Sequence, residues 1–255
     1  MQMQAKTLFD ELRSKAPLLS VGVLSAELTS LGSQVRLLER AGVELLHFDV
    51  MDGRFCPLMT VGPGFVKAVK TALLKDVHLL VEEPLGKVES YVAAGADIVT
   101  VHVESCRHIH RVLQELGRMA NANDPARGIL RGLALNPGTP ITSVEPLLDE
   151  LEMVVLVAVN PGWSGQEFIA STQRRAENLI DMFNRAKKDV LLGIDGGITR
   201  ANLADVVQMG PDIIVTGSAV FKEGRPLETA RSMISVLKRA ATGLDVNHGG
   251  IRYVE

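Results

Sequence analysis

The stretch AGVELLHFDVMDGRFCPLMTVGPGFVKAVKTALLKDVHLLVEEPLGKVESYVAAGADIVTVHVE, residues 41–104, decides the fold. Three apolar runs of strand length stand in it: ELLHFDV (44–50), DVHLLV (76–81) and DIVTVHV (97–103). Between them GFVKAVKTALL (64–74) and LGKVESYVAA (85–94) space their apolar residues as helices do. Strands that are apolar throughout predict a parallel sheet covered on both faces. The turns AGVE (41–44) and AGAD (94–97) look alike, each with a glycine just past a helix end, and QMGPD (208–212) is similar.

Outward from this stretch the same rhythm continues. LLSVGVLS (18–25) precedes it; RGLALN (131–136), MVVLVAVN (153–160), DVLLGID (189–195) and DIIVTGS (212–218) follow. Amphipathic segments fill the gaps: 28–41, 108–120, 141–151, 171–188 and 200–209, with 227–241 after the last strand. Eight βα units in 255 residues predict an α/β protein, a closed (β/α)8 TIM barrel. The rival is a doubly wound sheet, which has about five or six strands and a glycine-rich first turn. No GxGxxG follows residues 18–25. The expected division is an N-terminal helical extension over 1–17, the barrel over 18–242 and a polar, glycine-containing tail over 243–255, with no second domain. NANDPARG (121–128) reads as a surface loop insertion.

Hydrophobic residues make up 46% and charged residues 22%, enough apolar surface for a sizeable core. The net charge of −3, with no long basic run, argues against a nucleic-acid partner. Cys56 and Cys106 make no disulfide framework and read as reduced thiols. No run is long and apolar enough for a membrane span. The N-terminal MQMQAKTLFDELRSKAP lacks an apolar signal core, so a cytoplasmic protein is expected.

Active sites of parallel barrels lie at the C-terminal ends of the strands. His47 and Asp49 are two apart on one strand and share a face; His78 lies near the end of the next; Asp195 ends strand seven. Taken singly, a histidine in an apolar strand is a packed core residue, and an aspartate before Gly-Gly is a turn or cap. Together, two imidazoles and two carboxylates at one mouth can surround a divalent cation. Asp52, before a glycine, reads as a turn residue. His102 faces the mouth if the strand register holds and is not read as a metal ligand, while His108 and His110 fall in a solvated helix start. Gly196 and Gly197 after strand seven, and Gly217 and Ser218 after strand eight, suit an anion site built from backbone N–H groups. The loop NPGWSGQEF (160–168) has freedom from Gly162 and Gly165 and apolar cover from Trp163 and Phe168; it reads as a lid.

These motifs, HFDVMDG, DVHLLVEEP, GADIVTVHVE, LALNPGTP, VNPGWSGQEF, IDGGI and TGSAVF, stand in the order seen in ribulose-phosphate 3-epimerases, which the chain resembles over residues 18–222. The resemblance implies a TIM barrel, one divalent metal per subunit (zinc, iron or manganese), a sugar-phosphate substrate and a homo-oligomer. It implies metal ligation by His47, Asp49, His78 and Asp195, with Asp49 and Asp195 as the acid–base pair. It further implies phosphate and substrate contacts from Met51, Gly162, Gly165, Gly196, Gly197, Gly217 and Ser218. The reaction then inverts C3 by proton transfer through a cis-enediolate.

Departures cluster near the sugar. Strand one reads Val21, Gly22, Val23, Leu24, Ser25 where relatives read Pro-Ser-Ile-Leu-Ser. Arg54, Phe55, Cys56, Pro57 and Leu58 replace His-Phe-Val-Pro-Asn, and Leu80 and Val157 replace methionines. A hexulose or tetrulose phosphate, or a non-catalytic sugar-phosphate-binding barrel, therefore stays open. Decarboxylase relatives carry Asp-x-Lys-x-x-Asp, whereas this chain has Asp49, Val50, Met51 and Asp52.

Overall fold

The computed structural model describes residues 7–163 and 165–247, with side chains through 242. Eight parallel strands close into one barrel in sequence order: β1 (Leu18–Gly22), β2 (Leu45–Met51), β3 (Leu74–Leu80), β4 (Ile98–His102), β5 (Leu130–Leu135), β6 (Met153–Val157), β7 (Leu191–Asp195) and β8 (Ile213–Thr216). β8 returns to pair with β1, Leu18 lying against Ile213, so no strand edge is left open. The TIM barrel expected from the strand count is the fold.

Around it run α1 (Leu8–Lys15), α2 (Leu31–Ala41), α3 (Pro63–Ala68), α4 (Val88–Ala93), α5 (Ile109–Arg118), α6 (Thr172–Ala186), α7 (Leu203–Gln208), α8 (Ser218–Phe221) and α9 (Pro226–Asn247). Val35 and Leu38 of α2, Leu113 and Leu116 of α5, and Leu179 of α6 pack on the outward strand residues Phe48, Leu79, Val99 and Ile194. That layer explains why the strands carry apolar side chains on both faces.

The barrel interior is filled from the bottom. Leu18, Leu45, Ile98, Leu130, Met153, Leu191 and Ile213, all near strand starts, form a buried layer, and Leu8 and Leu12 of α1 sit against it. Thr7 and Asp10 cap α1 reciprocally. Ion pairs tie α1 down: Arg13 to Asp212 at 2.6 Å and Asp189 at 2.5 Å, Lys15 to Glu44 at 2.5 Å, and Glu11 to Arg127. The N-terminal helix is thus a plug under the barrel, leaving the opposite mouth for chemistry.

Several segments differ from expectation, among them the helix expected over 64–74, which ends at Ala68, with Leu74 already in β3. The strand expected over 18–25 ends at Gly22 and passes into a 3-10 turn, Val23–Ser25. The helix expected over 141–151 is two 3-10 segments, because Pro146 lacks the N–H an α-helix needs there. The loop 121–128 is anchored inward: Asn121 is buried and, with Asn123, donates to the Asp97 carboxylate at 3.1 and 3.0 Å. The stretch expected as a tail, 243–255, begins inside α9, which runs to Asn247; residues 248–255 lie outside the described residues.

Candidate active site at the barrel mouth

Strand pairing brings the predicted ligands together. In the β2–β3 register, His47 lies opposite Asp76 and Asp49 opposite His78. Asp195 arrives from β7, across the barrel. His47, Asp49, His78 and Asp195 each offer one ligand atom, and these atoms all lie within 4.8 Å of one another. His47 Nε2 is 3.1 Å from Asp49 Oδ1 and 3.8 Å from Asp195 Oδ2. His78 Nδ1 is 3.4 Å from each of the same two oxygens. Ligands held about 2.0–2.2 Å from a tetrahedral cation stand about 3.3–3.6 Å apart. The observed spacings bracket that value.

The buried polar atoms fit a cation as well. His78 Nδ1 is fully buried and has no hydrogen-bond partner among the described residues, although it faces two carboxylates. Burial pushes the imidazole of His47 down, but the Asp76 and Asp49 carboxylates outweigh it and hold the ring well above the usual histidine range. Burial likewise opposes, and Asp195 and Asp49 override, at His78. Burial pushes Asp49 up, yet His47 and His78 hold its carboxyl far below the ordinary value. The cluster is a site that favours positive charge at its centre.

Each imidazole is oriented from behind. Asp76, buried in β3, accepts from His47 Nδ1 at 2.7 Å and from Ser20 Oγ of β1 at 3.0 Å. His78 Nε2 lies 2.9 Å from His102 Nε2, and His102 Nδ1 lies 3.0 Å from Glu104 Oε2. His102 is wholly buried inside the mouth, and burial pushes its imidazole down to about 4. Burial pushes Glu104 up, but hydrogen bonds from His102, Thr139 and the Asn136 amide hold it down to about 2. Asp52 takes the turn role: it accepts from the backbone amides of Arg54, Phe55 and Glu82 and from Lys87 Nζ. His108 and His110 are exposed.

Beside the cluster opens a cavity of about 650 Å³ lined by Asp49, Met51, Gly162, Gly165, Asp195, Gly196, Gly197, Gly217 and Ser218. Every predicted ligand and substrate-side residue except the two histidines therefore borders one space. A model of the ribulose-phosphate 3 epimerase family matches residues 18–221. The chain belongs to that family. It is 39% identical over 202 residues to the ribulose-phosphate 3-epimerase of Bacillus subtilis, covering 78% of this chain and 89% of that one. It is 34% identical to a putative epimerase, LsrE, of Salmonella typhi, covering 87% of this chain and 88% of the relative. Among solved structures, 3-hexulose-6-phosphate synthase from Salmonella typhimurium superposes with a TM-score of 0.61 over 88% of this chain and 99% of that one. At 18% identity that likeness speaks for the fold alone.

Two features of this family member's mouth depend on glycine. Gly197 holds φ +68°, and a Cβ there would stand 2.8 Å from the Cα and N of Phe168. Gly162 holds φ +95°, and a Cβ there would stand 2.7 Å from Pro57 Cδ and 3.0 Å from Cys56 Cβ. The 160–168 loop is thereby wedged between the β2 loop and the β7 turn. Gln166 staples it, its amide nitrogen donating to the carbonyls of Asn160 at 2.5 Å and Trp163 at 2.8 Å. Trp163 is 61% exposed, so the loop's indole is not buried cover. Ser164 of this loop lies outside the described residues.

Asp76, Ser20 and the Glu104 carboxylate were not identified from the sequence as partners of the site. A signal was present: Asp76 stands two residues before His78 in the same strand, on the same face.

Proposed function

We propose that this chain is a metal-dependent 3-epimerase of a ketose phosphate, interconverting D-ribulose 5-phosphate and D-xylulose 5-phosphate. Membership of the family makes it an epimerase-type enzyme; the relatives' names and the mouth's chemistry support this substrate. One observation carries the mechanism: Asp49 Oδ1 and Asp195 Oδ2, from strands on different sides of the barrel, both stand 3.4 Å from His78 Nδ1.

His47, Asp49, His78 and Asp195 would hold the cation: zinc, iron or manganese. When bound, it supplies the positive charge that stabilises an oxyanion developing beside the reacting carbon. Asp49 and Asp195 then address that carbon from two sides. One carboxylate accepts the C3 proton; the other delivers a proton to the opposite face, and the reverse reaction exchanges the roles. Met51 lines the space beside them and limits water there. The turns at Gly196–Gly197 and Gly217–Ser218 offer backbone N–H groups for the phosphate, and the loop carrying Gly162 and Gly165 closes over it. A cytoplasmic homo-oligomer is part of this reading.

Incubation of the metal-reconstituted protein with D-ribulose 5-phosphate in deuterated water tests it. Deuterium at C3 of both epimers is expected; turnover without label at C3 would exclude the two-carboxylate route. One observation keeps longer ketoses in the assay panel. Gly22 borders the cavity, and a Cβ there would meet Gly217 Cα at 3.4 Å, an ordinary contact. The serine of the family pattern would fit, so its absence leaves room near the sugar.

A further inference from the structure

Of the two histidines facing the candidate cation site, only one is oriented by a carboxylate directly. His47 Nδ1 meets Asp76 at 2.7 Å. His78 instead meets another imidazole: its Nε2 is 2.9 Å from Nε2 of His102, the two rings lying within 11° of parallel. His102 is fully buried, its ring packed beside Phe55 at 4.6 Å between centroids. Its other nitrogen, Nδ1, is 3.0 Å from Glu104 Oε2. Glu104 Oε1 is occupied by two donors, the Asn136 backbone amide at 2.8 Å and the Thr139 hydroxyl.

We propose that Glu104 and His102 are positioning residues which, through a one-way chain of hydrogen bonds, hold the proton of His78 on Nε2 and its Nδ1 lone pair toward the cation site. The inference rests on reading the His47–Asp49–His78–Asp195 group as a metal site. The logic is a donor–acceptor count. The Glu104 carboxylate only accepts, so His102 donates from Nδ1. A neutral His102 then has a bare Nε2, which accepts from Nε2–H of His78. A neutral His78 protonated on Nε2 has its lone pair on Nδ1, the buried atom 3.4 Å from both Asp49 and Asp195. One proton sits in each gap, and no other neutral arrangement satisfies all of them.

The chain predicts its own inversion. In Glu104→Gln, the amide oxygen stays with the Asn136 amide and the Thr139 hydroxyl, two donors against one. The amide NH2 then faces His102 Nδ1 and donates. His102 must carry its proton on Nε2, His78 must accept there, and the His78 proton moves to Nδ1, into the cation site. Cation binding must then expel that proton and set two N–H groups against each other.

The test uses the full chain loaded with zinc, with nitrogen-15 in its histidines. In the wild type, NMR is expected to show His78 protonated on Nε2 and His102 protonated on Nδ1 alone; His102 protonated on Nε2 would overturn the relay. Zinc affinity, measured by competition with a chelator, is expected to fall about 10–100-fold in Glu104→Gln. His102→Leu should lose as much, and His102→Gln, which keeps an acceptor within reach of His78, should lose less. Melting of the metal-free variants checks that they fold. Wild-type affinity in Glu104→Gln, or equal losses in the Leu and Gln variants at 102, would refute the chain while leaving the metal site standing. A wild-type chain that binds no zinc would remove the metal reading and the relay with it.

Discussion

Replacing Gly197 by alanine tests whether the 160–168 loop and the β7 turn are built against each other. Two costs arise. The backbone holds φ +68°, where an L-residue with a Cβ is disfavoured by about 1–2 kcal/mol. The new methyl would also stand 2.8 Å from the backbone N and Cα of Phe168, atoms that move only with the loop. Forced repacking of this kind costs about 1–3 kcal/mol. The sum, about 2–5 kcal/mol, should lower Tm by roughly 5–15 °C for a chain of this size. Gly42→Ala is the matched control: it holds φ +85° at the end of α2, with nothing among the described residues within 4 Å of the added Cβ. It should show the conformational cost alone. Scanning calorimetry of both variants isolates the clash, a gap of about 1–3 kcal/mol. Steady-state kinetics then show whether it reaches the mouth. Displacing Phe168 pulls the loop off the candidate phosphate turn, so KM should rise about tenfold, the equivalent of about 1.4 kcal/mol, in Gly197→Ala and stay unchanged in Gly42→Ala. Equal melting and equal KM in the two variants would refute the close approach on which this reasoning stands.

Asp195→Asn and Asp49→Asn should each lower kcat by about 10²–10⁴-fold and slow the appearance of deuterium at C3 of the product epimer in the same proportion, read by NMR of the sugar phosphate. Cation binding should release protons, because the carboxylates hold His47 and His78 above their ordinary value of 6.5. Zinc affinity should therefore keep rising with pH through and beyond that value; calorimetry finding no proton release near neutral pH would contradict it. The same groups shape metal-free stability. The raised histidines contribute fully below pH 6.5 and lose that contribution as pH rises through their folded values. The depressed Asp49 contributes above its ordinary 3.8 and loses its contribution as pH falls below it, so the cluster stabilises most between these limits, measurable as Tm against pH. Arg13→Ala should cost about 1–3 kcal/mol in urea unfolding without altering kcat, because it unpins the plug helix from the buried Asp212 at the far end of the barrel.

Most of this could be read along the chain. Strand-length apolar runs such as MVVLVAV (153–159) must be parallel and covered, because no alternation marks a wet face, and eight strand-length runs in 255 residues close a barrel. His47 and Asp49 share a face by the two-residue period alone, and closure of the barrel brings Asp195 to them. The departures have specific physical causes. Pro146 broke a segment whose apolar spacing was helical, and Asn121 turned inward because Asp97, far along the chain, needed donors.

Sequence alone determined the number of strands, the face each one buries and which four polar side chains stand on the inward face of their strands, because backbone periodicity sets these locally. Tertiary structure decided which nitrogen of each histidine faces the centre, that Asp76 and Glu104 end the two hydrogen-bond chains behind them, and that α1 plugs the opposite end. Those features are distances between atoms on strands brought together only by barrel closure. A hydrogen bond of 2.9 Å between His78 and His102 depends on register and shear, which no single stretch of residues encodes.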